Sequence, residues 1–317
     1  MFRVLYYHLL QQDYPQDQLE VLFVDGMSTD ATRKIIQSAT EKYKNMYMID
    51  NIHQVVPYAL NIGIERAKGD VIIRIDAHAW FPNDYVSTLV KYLNCLPNAQ
   101  NVGAPCLTRT LGTTHKAKAI MAVMSNKWGV GNSMFRLGVK DVQIVDTVPF
   151  GCWKRDTLIR IGMFNTNLIR NQDIELNKRI AKAGGNIFLV PNTHCIYYAR
   201  ETYQSFAKNN FGNGKWNIWT LYYTKAFGSL SLRHFVPLLF LLSLLFPIIG
   251  MLISPWIGLV ASASLICYLT LICTIGRQIH QKLSIRMWNV IIAFLTLHLS
   301  YGLGSLVGII TLPFIKN

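Results

Sequence analysis

Gly69-Asp70-Val71-Ile72-Ile73-Arg74-Ile75-Asp76-Ala77-His78-Ala79 is the stretch that best indicates the fold of this 317-residue chain. Its apolar run, Val71 to Ile75, is typical of a buried strand, and the run ends in Asp76 and His78. Open α/β sheets bind ligands at the carboxyl ends of their strands. An Asp and a His two residues apart at such an end can hold a divalent cation that neutralises a diphosphate. A turn-capping Asp beside a surface His is the alternative that this stretch leaves open.

A second strand pattern leads to another acid nearer the beginning of the sequence. Val21-Leu22-Phe23-Val24 runs into Asp25, and a glycine turn follows. One of the residues Ser28-Thr29-Asp30 is then expected to be the N-cap of a helix over residues 31–42. An acid at this position accepts hydrogen bonds from a ribose or base in dinucleotide-binding folds. A turn and helix cap is the simpler alternative, and it explains Asp25 less easily than the three residues that follow.

A third acidic position opens a predicted helix in the middle of the sequence. The helix starts within Arg170-Asn171-Gln172-Asp173-Ile174-Glu175 and ends at Gly184-Gly185. Asp173 and Glu175 fall in its first turn, where the helix dipole favours carboxylates and keeps their pKa low. Capping alone explains both acids, and a catalytic base is one of the alternatives.

Taken in order, these segments and five others resemble family 2 glycosyltransferases, particularly bacterial exopolysaccharide enzymes of the succinoglycan type. Each motif is weak by itself, but the ordered series is specific, and it covers roughly residues 5–225. The matching motifs are Gln12-Asp13-Tyr14-Pro15, Val24-Asp25-Gly26-Met27-Ser28-Thr29-Asp30, Ala59-Leu60-Asn61-Ile62-Gly63, Arg74-Ile75-Asp76-Ala77-His78-Ala79, Gly129-Val130-Gly131-Asn132-Ser133, Phe150-Gly151-Cys152-Trp153-Lys154-Arg155, Asn171-Gln172-Asp173-Ile174-Glu175-Leu176-Asn177 and Phe211-Gly212-Asn213-Gly214-Lys215-Trp216.

The resemblance implies an α/β fold, the Rossmann-like GT-A domain that binds a nucleotide-sugar, and transfer with inversion of the anomeric centre. The donor, expected to be a UDP-sugar, would then contact Asp25, Ser28, Asn61 and Asp76. A divalent metal, Mg²⁺ or Mn²⁺, would bind Asp76 and His78. His78 stands where the family motif has a second acid, and an imidazole ligand favours Mn²⁺ over Mg²⁺.

The same resemblance assigns the reaction chemistry. Asp173 falls at the position of the catalytic base, which takes the proton of the acceptor hydroxyl. Gln172 precedes it where the wider family has Glu, so one charge that would tune the base is absent. Gly151 and Trp153 would face the acceptor, expected to be a lipid-linked saccharide.

Hydropathy changes sharply near Arg233. The chain has a net charge of +14, 51% hydrophobic residues and only 15% charged ones. Up to residue 202 it alternates strands and helices like one catalytic domain, and residues 203–233 are aromatic and basic, as in an interfacial segment. An ordinary amphipathic helix is the alternative for 203–233. We find no nucleic-acid-binding motif, and the apolar sequence that follows favours anionic lipid as the partner of these basic residues.

Residues 234–317 form the predicted membrane domain. Its apolar segments, 235–254, 256–275 and 289–312, each have about the ~20 residues that span a bilayer. Only two residues separate the first pair, so two full spans and a re-entrant hairpin both stay open. Basic residues lie before the first segment and between the second and third, which predicts that both of these basic clusters face the cytoplasm. The expected location is therefore a bacterial inner membrane, crossed more than once, with the catalytic domain cytoplasmic.

The sequence resembles its relatives only from a point inside their first helix, at Met1-Phe2-Arg3-Val4-Leu5. A preceding strand with nucleotide contacts is expected in the family, and its loss would expose the edges of neighbouring strands. A truncated reading frame and a fold that closes without this strand are the two explanations. The alternatives to an active transferase are accordingly a catalytically inactive, truncated membrane protein and a transport or scaffold protein with a nucleotide-binding domain.

Overall fold

The computed structural model describes residues 8–315, so the helix predicted at Met1 to Leu5 lies outside the described residues. The chain divides into two compact units. The first comprises the residues through Leu107 together with Ser133–Tyr197, and the second comprises Thr108–Asn132 and the residues from Tyr198 onward. Residues 108–132 thus group with the C-terminal helices, and the domain bounds predicted at residues 202 and 233 stay a prediction.

The α/β class predicted from the sequence is confirmed in the first unit. Residues 8–10 open it as a helical turn. Its strands are β1 (Val21–Asp25), β2 (Met46–Asp50), β3 (Val71–Ile73), β4 (Ala79–Trp80), β5 (Ala99–Gly103), β6 (Cys106–Arg109), β7 (Gln143–Ile144), β8 (Cys152–Lys154), β9 (Asn186–Leu189) and β10 (Cys195–Tyr198). The chain's helices as far as Lys182 are α1 (Thr32–Lys42), α2 (Val56–Arg66), α3 (Tyr85–Cys95), α4 (His115–Met124), α5 (Lys127–Val130), α6 (Met134–Leu137), α7 (Arg155–Ile161) and α8 (Gln172–Lys182), of which α4 and α5 lie in the second unit.

Three sheets share these strands. A central sheet has the order β3-β8-β5-β9-β7, with β5 and β9 parallel and the other pairs antiparallel. Beside it lie a sheet of order β4-β10-β6 and a parallel pair, β1-β2. Helix α3 covers the central sheet with Tyr85, Leu89 and Leu93, all of which are buried.

Strands β1 and β3 each have one open edge, and both edges line one cavity. The cavity has a volume of about 1310 Å³ and is lined by residues 18–26 and 69–78. Within residues 8–315, β1 pairs with β2 alone and β3 pairs with β8 alone.

The hydrogen bonds of β1 and β3 identify which backbone groups face the open edges. In β1, Val21 donates to Asn45 (2.9 Å) and Asp25 accepts from Asn51 (2.8 Å), so the odd-numbered residues bond to β2. Successive residues of a strand point to opposite edges, and the peptide groups of 22 and 24 therefore point away from β2. In β3 the even-numbered residues bond to β8, through Arg74 to Gly151 (3.1 Å). The peptide groups of 71 and 73 thus face the other open edge.

Helices dominate the second unit. After Tyr198 these are α9 (Tyr203–Thr224), α10 (Val236–Gly250), α11 (Gly258–Leu283) and α12 (Met287–Ile310). Helices α9 and α12 approach closely because glycines face each other's backbone. A Cβ atom at Gly214 of α9 would collide with the carbonyl of Tyr301, and one at Gly304 of α12 would collide with the carbonyl of Phe211. The aromatic, basic segment predicted at 203–233 is thus built around a helix packed on α12.

Two of the helices within residues 8–315 are long and apolar enough to cross a membrane. They are α11 with the turn that precedes it, Pro255–Leu283, and α12, Met287–Ile310. The structure differs from the prediction of three such segments at the first one, since α10 has only 15 residues. At 1.5 Å per residue α10 is about 22 Å long, less than the ~30 Å of a hydrocarbon core.

Candidate active site

One cluster of charged side chains lies at the carboxyl end of β1, around Asp25. Its carboxylate is buried and accepts hydrogen bonds from the Ser28 backbone (2.9 Å), the Ser28 hydroxyl (2.6 Å) and Arg33 Nη1 (2.7 Å). Arg33 also contacts Asp50 at the end of β2 (2.8 Å). Burial alone would raise the pKa of Asp25, but the hydrogen bonds from Ser28 and Arg33 outweigh it, and the pKa lies below its ordinary value. Asp25 is therefore an ionised, fixed acceptor at neutral pH.

The turn after Asp25 differs from the helix cap predicted for it. Ala31 occupies the N-cap position of α1, and none of the three predicted residues does. The Ser28 hydroxyl bonds to Asp25, and α1 has its N-cap three residues later, at Ala31. Asp30 accepts a hydrogen bond from the Thr32 backbone (2.9 Å), outside the cap itself. Ser28 thus orients the carboxylate of Asp25 instead of starting the helix.

Asn61 lies on α2, and the backbone of Phe164 engages both ends of its amide. The amide donates to the Phe164 carbonyl (2.8 Å) and accepts from the Phe164 N–H (2.9 Å). This pair of bonds fixes the loop before α8 against α2. Contact between Asn61 and the donor therefore stays a prediction that this geometry does not support.

The second cluster brings together the acid of the predicted metal motif and the predicted base. Arg74 Nε and Nη2 donate to the two carboxylate oxygens of Asp76 (2.8 and 3.0 Å). Arg74 Nη1 donates to both oxygens of Asp173 (2.7 and 2.9 Å). Asp76 follows β3 and Asp173 lies in the first turn of α8, so two distant parts of the sequence meet at one guanidinium.

Asp173 differs electrostatically from the sequence-based expectation. A low pKa was expected from its place at a helix N-terminus. Burial raises the pKa, Arg74 lowers it, and the charge of Asp76 raises it again, so that the net pKa lies above the ordinary value. The prediction of a low pKa is therefore wrong. A raised pKa makes the Asp173 carboxylate a stronger base than an ordinary aspartate.

Glu175, the other acid in that first turn, does not belong to the site. It is buried and pairs with Arg179 on its own helix, through Nε (2.7 Å) and Nη2 (2.8 Å). Arg179 also donates to the carbonyls of Ile161 and Met163. Glu175 thus holds α8 to the loop after α7.

His78 is exposed, and its ring lies edge-on to Tyr197 at a centroid distance of 6.1 Å. With Asp76 it is one of two potential metal ligands on this turn, and no group of three His, Cys, Asp or Glu residues converges anywhere in 8–315. Two protein ligands suit a cation whose other positions are filled by diphosphate oxygens and water, as Mg²⁺ commonly binds. The donor set therefore fits a nucleotide-linked Mg²⁺ or Mn²⁺.

The two residues predicted to face the acceptor are buried. Trp153 lies on β8, and its ring packs edge-on against Phe164 at 6.0 Å. Gly151 is pressed against Asn101 and Trp153, where any Cβ would overlap them, and its carbonyl accepts from Arg74. The structure therefore gives both residues a packing role, and their contact with an acceptor stays a prediction without support from their positions.

Sequence reasoning missed the two arginines that organise the clusters. Arg74 interrupts the apolar run from Val71 to Ile75, and a charge inside a buried strand requires a partner, which is a signal readable from the sequence. Arg33 carries no such signal, because it falls in an ordinary polar helix. Its pairing with Asp25 and Asp50 emerges only when α1 folds back over β1 and β2.

Comparison with known proteins identifies the family. Residues 3–158 match the sequence profile described as Glycosyl transferase family 2. Residues 3–158 belong to glycosyltransferase family 2. The match confirms the resemblance that the ordered motifs indicate.

Two relatives share 28% identity with the chain. One is the dolichyl N-acetyl-alpha-D-glucosaminyl phosphate 3-beta-D-2,3-diacetamido-2,3-dideoxy-beta-D-glucuronosyltransferase of Methanococcus voltae, matched over 64% of each chain. The other is the succinoglycan biosynthesis protein ExoA of Rhizobium meliloti, matched over 62% of this chain and 58% of ExoA. The matched region thus spans less than two thirds of either relative's length.

A solved structure supports the fold. The mannosyltransferase PcManGT from Pyrobaculum calidifontis, in complex with GDP-Man and Mn²⁺, has a TM-score of 0.59 and 19% identity to this chain. The similarity covers 96% of this chain and 83% of that one. It establishes the GT-A fold, and the substrate and metal in that complex are those of the mannosyltransferase.

Proposed function

We propose that the protein is a membrane-anchored, inverting glycosyltransferase that moves a sugar from a nucleotide-sugar to a lipid-linked or polysaccharide acceptor. The observation that carries this proposal is the meeting of Asp76 and Asp173 at Arg74, beside the cavity that Asp25 also lines. A transfer of this kind needs a base for the acceptor hydroxyl and positive charge for the departing diphosphate. Both requirements have candidates within one cluster of the first unit.

Asp25 and Ser28 are proposed to recognise the nucleoside. The buried carboxylate of Asp25 accepts hydrogen bonds well, and a ribose hydroxyl or base N–H is the complementary donor. Ser28 and Arg33 hold this carboxylate in place before the ligand arrives. No contact among the described residues selects one base, so UDP-sugars and GDP-sugars both belong in the test.

Asp76 and His78 are proposed to hold the divalent cation against the diphosphate, and Asp173 is proposed as the base. When bound, the cation supplies Lewis-acid charge for the leaving group. Asp173 supplies a carboxylate within a first helical turn, and its raised pKa suits proton abstraction. Arg74 keeps the two acids in register, because it contacts all four of their oxygens.

The test is transfer or hydrolysis of nucleotide-sugars by the full chain in detergent, with Mn²⁺ or Mg²⁺ and then with a chelator. We expect release of a nucleoside diphosphate that depends on the cation for at least one donor in a panel of UDP-sugars and GDP-sugars. Nucleotide binding without any turnover would instead support the alternative of a catalytically inactive membrane protein. An absence of nucleotide binding contradicts the proposal altogether.

The membrane location is proposed from α11 and α12 together with the basic residues beside them. Arg277, Lys282 and Arg286 lie at the end of α11 and in the turn before α12, the side expected to face the cytoplasm. The full chain should remain in the membrane fraction after a carbonate wash, and its recovery as a soluble protein would contradict anchoring.

Orientation has its own test in the exposed thiol of Cys95 on α3. A membrane-impermeant thiol reagent should label Cys95 in inside-out vesicles and spare it in intact cells, with Cys95→Ser as the control. Equal labelling in intact cells would place the first unit outside the cytoplasm.

A further inference from the structure

All three nitrogens of the Arg74 guanidinium donate hydrogen bonds to two carboxylates, those of Asp76 and Asp173. Its Nε and Nη2 take one oxygen each of Asp76, and its Nη1 bridges both oxygens of Asp173, all at 2.7–3.0 Å. Charge-assisted, bidentate pairs of this kind are the stronger hydrogen bonds of proteins. Asp76 therefore meets the solvent with both oxygens already engaged.

The position of Arg74 is itself fixed by the fold. Its backbone N–H donates to Gly151 on the way into β8, and its guanidinium lies 5.9 Å from the ring centroid of Phe150. Phe150 adopts a left-handed backbone conformation (φ 47°), and its carbonyl accepts from the buried Tyr85 hydroxyl (3.1 Å). A non-glycine residue held in that region by a buried hydrogen bond indicates a rigid support for the guanidinium.

The positive charge of Arg74 affects how a cation binds to Asp76. An arginine stays protonated in proteins, so Arg74 offers a permanent positive charge within hydrogen-bonding distance of the carboxylate that is proposed to bind metal. A free divalent cation competes with Arg74 for the oxygens of Asp76 and is repelled by the guanidinium as it approaches. A cation that arrives with a nucleoside diphosphate brings the anion that compensates the displaced guanidinium.

We infer that Arg74 is a positioning residue that occupies Asp76 in the free protein and yields it only to a cation that arrives together with a diphosphate. Arg74 stays on Asp173 during this exchange and keeps the base aimed at the site. The inference rests on the proposed function. It predicts that Mn²⁺ and the nucleotide bind cooperatively: the nucleotide-free protein binds Mn²⁺ weakly, and the nucleotide strengthens that binding.

The experiment measures Mn²⁺ binding to the full chain in detergent by the electron paramagnetic resonance of free Mn²⁺, with and without UDP or GDP. Arg74→Gln removes the charge and keeps a side chain that donates hydrogen bonds. We expect it to tighten Mn²⁺ binding to the nucleotide-free protein by about tenfold, the worth of roughly one charged hydrogen bond, and to shrink the gain produced by the nucleotide. Arg74→Lys keeps the charge and should stay within about threefold of the wild type.

A matched control is Arg179→Gln, which also breaks a bidentate arginine–carboxylate pair, with Glu175, away from the site. It should leave Mn²⁺ binding unchanged. Thermal melts show whether each variant is folded, and if Arg74→Gln is unfolded the comparison is carried by Arg74→Met at lower temperature. Nucleotide-free Mn²⁺ binding that is equal in the wild type and a folded, neutral variant overturns the inference and leaves the proposed function standing. If neither UDP nor GDP changes Mn²⁺ binding to the wild type, the result contradicts the proposed function itself.

Discussion

The two charged clusters of the first unit have the same composition, one arginine and two aspartates, and opposite arrangements. Around β1 the buried member is an acid: the Asp25 side chain is 3% exposed, while Arg33 and Asp50 are 26% and 49% exposed. After β3 the buried member is the arginine: the Arg74 side chain is 8% exposed, while the Asp76 and Asp173 side chains are 20% and 24% exposed. The inversion separates an acid that is fixed from acids that are accessible.

This difference suits two tasks in one transfer. A buried acid surrounded by donors keeps one orientation and one charge, as recognition of a nucleoside requires. Accessible acids that share a buried cation exchange partners with little rearrangement of the fold, as binding a metal and a proton requires. The ability of Asp76 and Asp173 to exchange partners, more than the net charge, distinguishes the cluster proposed for catalysis.

The sharpest way to break this comparison is Asp173→Asn. It keeps the shape and one oxygen for Arg74 and removes the basicity, so we expect turnover to fall by roughly 10²–10⁴-fold with little change in nucleotide binding. Steady-state rates on the full chain measure this. Glu175→Gln, two residues further along the helix, is the control and should cost far less. Unchanged turnover in Asp173→Asn would show that Asp173 is not the general base.

The next largest effect is expected at Asp76. Asp76→Ala removes the carboxylate proposed as the metal ligand, so Mn²⁺ should no longer strengthen nucleotide binding, by calorimetry with and without the cation. Asp50→Asn is the matched change in the other cluster and should preserve the dependence on Mn²⁺. If both variants keep that dependence, the metal binds elsewhere.

A smaller effect is expected from Asp25→Asn. The amide places an N–H where Ser28 or Arg33 now donates, which disturbs the acceptor proposed for the nucleoside. We expect nucleotide affinity to fall by about tenfold, corresponding to roughly 1–2 kcal/mol, with the dependence on Mn²⁺ retained. Equal affinity in calorimetry would show that the β1 cluster supports only the fold.

The smallest effect concerns stability and pH. Asp25 has a folded-state pKa below its ordinary value of 3.8. Its ionised form therefore stabilises the fold above the unfolded pKa, and this contribution is lost as the pH falls through the folded pKa. The difference in thermal midpoint between the wild type and Asp25→Asn should accordingly be larger at pH 7 than at pH 3. A difference that is independent of pH would show that the charge of Asp25 is not what stabilises the fold.

The three acids of the candidate site were recognisable in the sequence because each follows a local pattern. Asp25 and Asp76 end apolar strand patterns, and Asp173 begins an amphipathic helix, so the properties of neighbouring residues sufficed. The GT-A fold and the order of the motifs followed from the same patterns together with the resemblance.

The arginines and the pKa of Asp173 could not be predicted in this way. Arg33 reaches Asp25 and Asp50 only through the packing of a helix over two strands, and the burial that raises the pKa of Asp173 depends on residues far away in the sequence. The length of α10 was left open because hydropathy does not detect where an apolar helix ends, here at Gly250. Local patterns thus located the three acids along the sequence, whereas the ion pairs and the pKa of Asp173 depend on tertiary contacts.

The open edges of β1 and β3 also bear on how the protein behaves when concentrated. Unpaired peptide groups beside apolar side chains are templates on which strands of other molecules add, and proteins usually protect such edges with charges or a covering segment. Within residues 8–315 no strand pairs with these two edges, and Leu22, Val24, Val71 and Ile73 line one cavity of about 1310 Å³. Edge-to-edge association between copies, driven by these two strands and independent of the membrane helices, is the hazard that this cavity introduces.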